Sequence, residues 1–205
     1  MTFINYEEQF YEKNYQWIVG IDEVGRGCLF GDVVACAIIM PRRDPIEGID
    51  DSKKLSERKR LSLYQKILER QQAVGIGRVD NYTIDQINIR QATHLAMISA
   101  IENLRTPDGK KILPDFLLID AETINTDIDQ QAIIKGDENC YSIACASIVA
   151  KVYRDMLCKK WELEYPGYGI GKHKGYATKY HREILKAYGP SDMHRKSFLK
   201  NMDKW

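Results

Sequence analysis

The chain has 205 residues, 44% hydrophobic and 29% charged, with 30 Lys and Arg against 29 Asp and Glu for a net charge of +1. This is the make-up of a globular protein long enough to bury a core, and its near-neutrality excludes a whole-molecule electrostatic argument for nucleic acid. No apolar run reaches the roughly 18–20 residues of a membrane span, residues 1–8 lack the basic start and apolar core of a signal peptide, and the five cysteines are odd in number with no Cys-x-x-Cys pair. We therefore expect a single cytoplasmic domain over 1–205 whose thiols are reduced and packed rather than disulfide-bonded or zinc-bound.

In chain order, Trp17-Ile18-Val19-Gly20-Ile21 reads as a buried strand ending in two adjacent carboxylates, Asp22 and Glu23, followed by Gly25-Arg26-Gly27. Asp is depleted in strands and carboxylates are seldom buried. Most isolated Asp-Glu pairs are simply strand ends entering a solvated turn. Here the two following glycines allow a backbone to approach a ligand closely, which favours a divalent cation. Residues 31–40 form a second apolar strand stopped by Pro41 and hairpin-like with the first. After the polar loop Asp51-Ser52-Lys53-Lys54-Leu55, Ser56 caps a helix to about Gln72 with Leu61, Tyr64, Ile67 and Leu68 as its apolar stripe. A third strand over 74–79 is weakened by Gly75 and Gly77.

The spacing of Ile84, Ile87, Ala92, Leu95, Ile98 and Ile101 predicts one helix from Asn81 or Thr83 to about Leu104, with His94 as a packing or surface residue on it. The turn Thr106-Pro107-Asp108-Gly109 follows. Residues 115–119 repeat the opening theme with Asp120 at the strand end. Residues 132–136 do so again with Asp137, as a return strand. From Tyr141 to about Trp161 a long buried helix carries Ala144, Ala146, Ser147 and Ala150, small residues that permit close packing on a sheet. Tyr165-Pro166-Gly167 breaks it, and helices over 178–188 and 193–202, separated by Gly189-Pro190, complete a helical C-terminal portion from about 165 to 205. The order predicts the α/β class, a mixed sheet flanked by helices. From Lys151 onward 13 Lys and Arg stand against 6 acids. Such a surplus is commonly a solvated face and equally suits a polyanion.

Folds of this class hold ligands at strand ends. Asp22, Glu23, Asp120 and Asp137 each sit at or just past one, so folding would gather four carboxylates that repel one another and raise each other's pKa unless a cation intervenes. Hard oxygen donors suit Mg²⁺ or Mn²⁺. Two such ions roughly 3.5–4 Å apart activate a water on one side of a phosphodiester and stabilise the leaving oxygen on the other. Among 29 acids, such a quartet does not by itself single out a site.

Seven motifs in order do. Asp22-Glu23-Val24-Gly25-Arg26-Gly27, Asp51-Ser52-Lys53-Lys54-Leu55, Leu118-Ile119-Asp120, Lys135-Gly136-Asp137, Ala146-Ser147-Ile148-Val149-Ala150-Lys151-Val152-Tyr153-Arg154-Asp155, His173-Lys174-Gly175-Tyr176 and His194-Arg195-Lys196-Ser197-Phe198 make the chain resemble the bacterial ribonuclease HII family from about Trp17 to Phe198. The resemblance implies a ribonuclease H-like fold and cleavage of the RNA strand of RNA–DNA hybrids, including single ribonucleotides embedded in duplex DNA. It implies that Asp22, Glu23, Asp120 and Asp137 bind two divalent ions, Mg²⁺ or Mn²⁺, and are catalytic. Gly25-Arg26-Gly27 matches the turn whose backbone meets the 2′-hydroxyl that distinguishes RNA from DNA. Tyr176 matches the tyrosine that stacks on the next, deoxy, sugar, while Lys53 and Lys151 match phosphate contacts. The enzyme would act as a monomer.

The chain departs from the family pattern at Cys28, Phe30 and Asp32, where small residues and prolines are common, and at Ala121, where glycine is usual. None of these replaces a proposed ligand. Arg26 and the absence of an N-terminal extension set the chain apart from the sister family ribonuclease HIII. His173, His181 and His194 are expected in phosphate contact or exposed, and Arg154 and Asp155 are expected to be structural, pairing with each other or capping helix ends. A non-catalytic hybrid-binding module would lack a member of the quartet, and a nuclease for branched DNA would give Gly25-Arg26-Gly27 no role.

Overall fold

The computed structural model describes residues 6–200. Its elements in chain order are α1 (Glu8–Tyr11), β1 (Ile18–Val24), β2 (Val33–Ile39), α2 (Glu57–Arg70), β3 (Ala73–Val79), α3 (Asn81–Ile87), α4 (Ile89–Glu102), β4 (Phe116–Asp120), β5 (Asp129–Ile133), α5 (Gly136–Asn139), α6 (Tyr141–Glu164), α7 (Ile170–His173) and α8 (Lys179–Tyr188), followed by a 3₁₀ turn, Lys196–Phe198. The strands form one mixed sheet in the order β3-β2-β1-β4-β5. The first three pair antiparallel, and β4 and β5 run parallel to β1 on its other side.

Strand alternation sets the layers. Val19, Ile21, Val33, Ala35, Ala37 and Ile39 face α3 and α4 through Ile84, Ala92, Ala96, Met97 and Ala100. Cys36 and Ile38 face α2 and α6 through Leu63, Ile67, Cys145, Ile148 and Val149. With both faces covered, β1 and β2 read as unbroken apolar runs. The two glycines of β3 weaken its own side-chain packing but let α4 come down on bare backbone: a Cβ at Gly75 or Gly77 would overlap the carbonyl oxygens of Ala100 and Ala96. All five cysteines are free and buried. No helix among the described residues is long and apolar enough to cross a membrane.

Several expected elements differ. The helix expected over 81–104 is two helices broken at Asn88, whose φ of 70° ends α3 while its side chain accepts the Arg90 and Gln91 amides to start α4. Asp80, rather than Asn81 or Thr83, caps α3 by accepting the Thr83 amide. In α2 the buried pair is Leu63 and Ile67, four residues apart, and Leu61 turns outward at 37% exposure. The strand expected to end at Asp137 stops at Ile133 and runs parallel to β4 rather than returning against it. The helix expected over 193–202 is only the turn Lys196–Phe198, because residues 193–195 are tied to the loop after β1: Gly31 N donates to Met193 O and Arg195 N to Leu29 O. Residues 201 and 202 lie outside the described residues.

Candidate active site

The β1–β4 ladder ends at Ile21 beside Ile119. The next residue on each strand is Asp22 or Asp120, so parallel pairing in register sets two carboxylates side by side at the carboxyl ends of the central strands. The third arrives by a turn. After β5, Lys135 adopts φ 53° and ψ 47°, the Gly136 amide donates to Asp120 Oδ1 at 2.7 Å, and α5 delivers Asp137. Carboxylate oxygens of Asp22, Asp120 and Asp137 lie within 4.8 Å of one another. Glu23 stands just outside this triad, close enough for its charge to act on Asp22 and for that of Asp120 to act on it. Its carboxylate is 3.5 Å from Arg26 Nη1.

Burial holds the Asp22 carboxyl well above the usual carboxylate range, and the charges of Glu23 and Asp120 push the same way. Burial also raises Glu23 despite the opposing Arg26, with Asp120 adding to the rise. Asp120 is raised by burial and by Asp137, against the Gly136 amide. Lys53 Nζ approaches Asp137 Oδ2 at 3.3 Å. Burial opposes the charge of that ammonium, but Asp137, Asp51 and Asp22 outweigh it and raise its pKa. One ammonium does not neutralise three crowded carboxylates. A donor set made only of hard oxygens in mutual repulsion fits Mg²⁺ or Mn²⁺.

The triad is braced from behind. The Glu23 amide donates to Asp22 Oδ1 at 2.7 Å, Ser147 sits against the same carboxyl and offsets part of the rise in its pKa, and Ser147 Oγ lies 2.9 Å from Ser52 Oγ. The loop holding Ser52 and Lys53 thus reaches the carboxylates at two points. Directly after Asp120, Ala121 takes φ 51°.

Gly25-Arg26-Gly27 turns beside the triad, with Gly25 at φ 95°. Arg154 lies so close beneath that a Cβ on Gly25 would overlap its guanidinium. Arg154 is buried and donates to the carbonyls of Asp32, Lys174 and Phe30. Arg195, also buried, donates to Gly31 O at 2.9 Å and Arg26 O at 3.0 Å, and burial lowers its pKa to about 10. The Arg26 side chain lies between Glu23 and Glu122, the latter at 3.3 Å, and Glu122 also meets His94 Nε2 at 3.2 Å.

Tyr176 bridges to Cys28 across this turn and keeps 41% of its surface exposed. Burial of the rest, with the Cys28 thiol in hydrogen-bond contact, pushes its phenol up to about 12. The departures Cys28, Phe30 and Asp32 are all buried: Phe30 packs edge-on against Trp161 and His194, and Asp32 holds Arg78 at 2.6 Å.

Lys151 is not brought to the triad, because its ammonium is engaged by Asp155 at 2.6 Å. Asp155 thus pairs with Lys151 and Arg154 with backbone carbonyls, partners other than each other or the helix ends that were the two alternatives. His173, His181 and His194, expected in phosphate contact or exposed, are buried and bonded to backbone and to each other. Sequence reasoning treated Ser147 as a packing residue and left Arg195 and Glu122 without a role. The available signal for Ser147 was a hydroxyl within an otherwise apolar helical run that covers β1.

The sequence model of one family, ribonuclease HII, matches residues 19–201. A ribonuclease HII of Alkaliphilus oremlandii is 55% identical over 199 residues, 97% of this chain and 98% of that protein. A second, from Alkaliphilus metalliredigens, is 53% identical over 204 residues and the whole of both chains. Among solved structures, the ribonuclease H2 of Pyrococcus horikoshii superposes with a TM-score of 0.73 at 22% identity, covering 92% of this chain and 98% of that one, a likeness of fold. On the match along nearly its whole length, the chain belongs to the ribonuclease HII family of metal-dependent, type 2 ribonuclease H endonucleases, which act on RNA–DNA hybrids.

Proposed function

We propose that this enzyme hydrolyses the RNA strand of RNA–DNA hybrids and cuts 5′ of ribonucleotides embedded in duplex DNA, leaving 3′-hydroxyl and 5′-phosphate ends. It does so as a cytoplasmic monomer and a single catalytic unit. The observation that carries this reading is the approach of the Asp22, Asp120 and Asp137 oxygens to within 4.8 Å beside the Gly25-Arg26-Gly27 turn. Asp22, Glu23, Asp120 and Asp137 are the catalytic carboxylates and the ligands of two Mg²⁺ or Mn²⁺ ions. When bound, the ions supply Lewis acidity at the scissile phosphate, on the attacking and the leaving side.

The remaining work falls to the chain. Ser147 and the Glu23 amide fix the Asp22 carboxylate in one orientation. The backbone of Gly25, Arg26 and Gly27 pairs with the 2′-hydroxyl, and Arg195 holds that turn by the Arg26 carbonyl. The half-exposed ring of Tyr176 stacks on the following deoxy sugar. Lys53, its side chain 78% exposed, meets backbone phosphate. Lys151 does so only by leaving Asp155. The helical C-terminal portion belongs to the same unit, since Arg195 within it reaches Arg26.

The test is one duplex with a single embedded ribonucleotide and an all-DNA control, each with Mg²⁺, Mn²⁺ or chelator. The first duplex is expected to be cut only with metal, and the control not at all. Equal cutting of both, or cutting in chelator, would overturn the reading. Asp22→Asn is expected to abolish turnover while duplex binding persists in a gel-shift assay.

A further inference from the structure

Three imidazoles lie buried beneath Tyr176, away from the carboxylates and outside the chemistry above. His173 stacks on His181 with centroids 4.0 Å apart, and His181 Nε2 lies 3.1 Å from His194 Nε2. The backbone decides which nitrogen carries each proton. The Ser191 amide donates to His194 Nδ1 at 2.9 Å, so that nitrogen is an acceptor and the neutral ring carries its proton on Nε2. His194 Nε2–H then donates to His181 Nε2, which leaves the proton of His181 on Nδ1, where it donates to the Tyr176 carbonyl at 3.0 Å. One direction of donation runs through the chain, from the Ser191 amide to the peptide of Tyr176. His173 has its own fixed form: it accepts the Gly175 amide at Nδ1 and donates from Nε2 to Tyr168 O. Burial pushes His181 to about 4 and His194 to about 3, which keeps both rings neutral at neutral pH.

We propose that His194 and His181 are positioning residues for sugar recognition: as a relay of fixed tautomers they orient the Tyr176 peptide and thereby the ring that meets the deoxy sugar. The proposal rests on the reading of Tyr176 given above. The Tyr176 carbonyl has two donors, His181 Nδ1 and the Thr178 amide at 2.8 Å. Two bonds fix a peptide plane where one leaves it free to rock. Tyr176 is also held by its bridge to Cys28 and by its own amide, which donates to His173 O at 3.0 Å; the relay adds the side-chain hold on its carbonyl. His194 also ties this anchor to the 2′-hydroxyl turn, because the next residue, Arg195, holds the Arg26 carbonyl. Ser191 through Arg195 thereby sets the spacing between the two sugar-reading elements.

The test has two arms. In long-range ¹H–¹⁵N spectra of the full chain at pH 7.5, His194 is expected to show a protonated Nε2 and His181 a protonated Nδ1. The opposite forms, or a charged ring, would overturn the relay. In kinetics, KM and kcat are compared for a ribonucleotide followed by DNA and for an all-RNA strand on DNA. His194→Leu is expected to lower the preference for the first substrate about three- to tenfold, the worth of one hydrogen bond, while His194→Gln, which keeps an acceptor and a donor, restores most of it. The effect is expected to vanish in a Tyr176→Ala background. Additive losses, or equal losses on both substrates, would overturn the proposal, and should His194→Leu fail to fold, the Gln variant and the spectra still decide it. An unchanged preference in Tyr176→Ala alone would instead refute the reading of Tyr176 and with it the purpose of the relay.

Discussion

Ala121 sits immediately after Asp120 at φ 51°, in a left-handed conformation that costs a residue with a Cβ roughly 1–2 kcal/mol. Its amide donates to Ile133 O at 3.0 Å, which fixes the turn whichever residue occupies it. Ala121→Gly is expected to raise stability by about 0.5–1 kcal/mol net of the looser unfolded chain. The check is a higher urea midpoint at unchanged slope; a lower midpoint would dismiss strain at this position. On the proposed reading Ser147 acts through Asp22, which it sits against, so Ser147→Ala is expected to lower kcat about three- to tenfold with little change in fold, read in the single-ribonucleotide assay. Asp22, Glu23 and Asp120 were legible because each closes an apolar strand, whereas Asp137 follows a turn after a mostly polar one. The buried histidines were not legible, since a His in a basic, polar segment carries no mark of burial.

Elements were harder to read where the period of one face outlived the element. Apolar spacing continues across Asn88 because α3 and α4 cover the same side of the sheet, so periodicity alone merges them. β5 was misplaced for the opposite reason: Asp129–Ile133 is an edge strand, mostly unburied and polar over its first three residues, whereas the more apolar residues 132–134, at its end and one step past it, drew the assignment. The glycines of β3 are the informative case. They read as weakness in a strand, yet they form the seat of α4. Gly77→Ala is expected to push that helix off the sheet and cost about 3 kcal/mol, measured by chemical denaturation. A loss under about 0.5 kcal/mol would mean that α4 has room the backbone contacts deny.

For the molecule as a whole, two sets of buried titrating groups pull stability in opposite directions. His181 and His194 fall to about 4 and about 3 in the folded chain. Between there and an unfolded value of roughly 6.5 the unfolded chain binds more protons, so their contribution is complete above about 6.5 and is lost as pH falls towards 3. The carboxyls of Asp22, Glu23 and Asp120 are raised. They favour the folded state below their unfolded values near 4, and that contribution is lost as pH rises through the folded ones. A bound cation reverses the second effect by holding the carboxylates ionised. Saturating Mg²⁺ is therefore expected to raise the melting temperature more at pH 7.5 than at pH 5, by several degrees at the higher pH. An equal shift at both would separate ion binding from these carboxyls.

The buttress that Arg195 supplies to Arg26 has a temporal side. Protein synthesis runs from the amino end, and Arg195 is added 195 − 137 = 58 residues after the last carboxylate of the triad. At about 5–20 residues per second that gap lasts roughly 3–12 s. During it a nascent chain has the three carboxylates of the triad but not the residue that holds the Gly25-Arg26-Gly27 turn. On the proposed reading of that turn, the ability to discriminate substrates is completed last, and a nuclease still attached to the ribosome, surrounded by RNA, is without the brace that would let it recognise a place to cut.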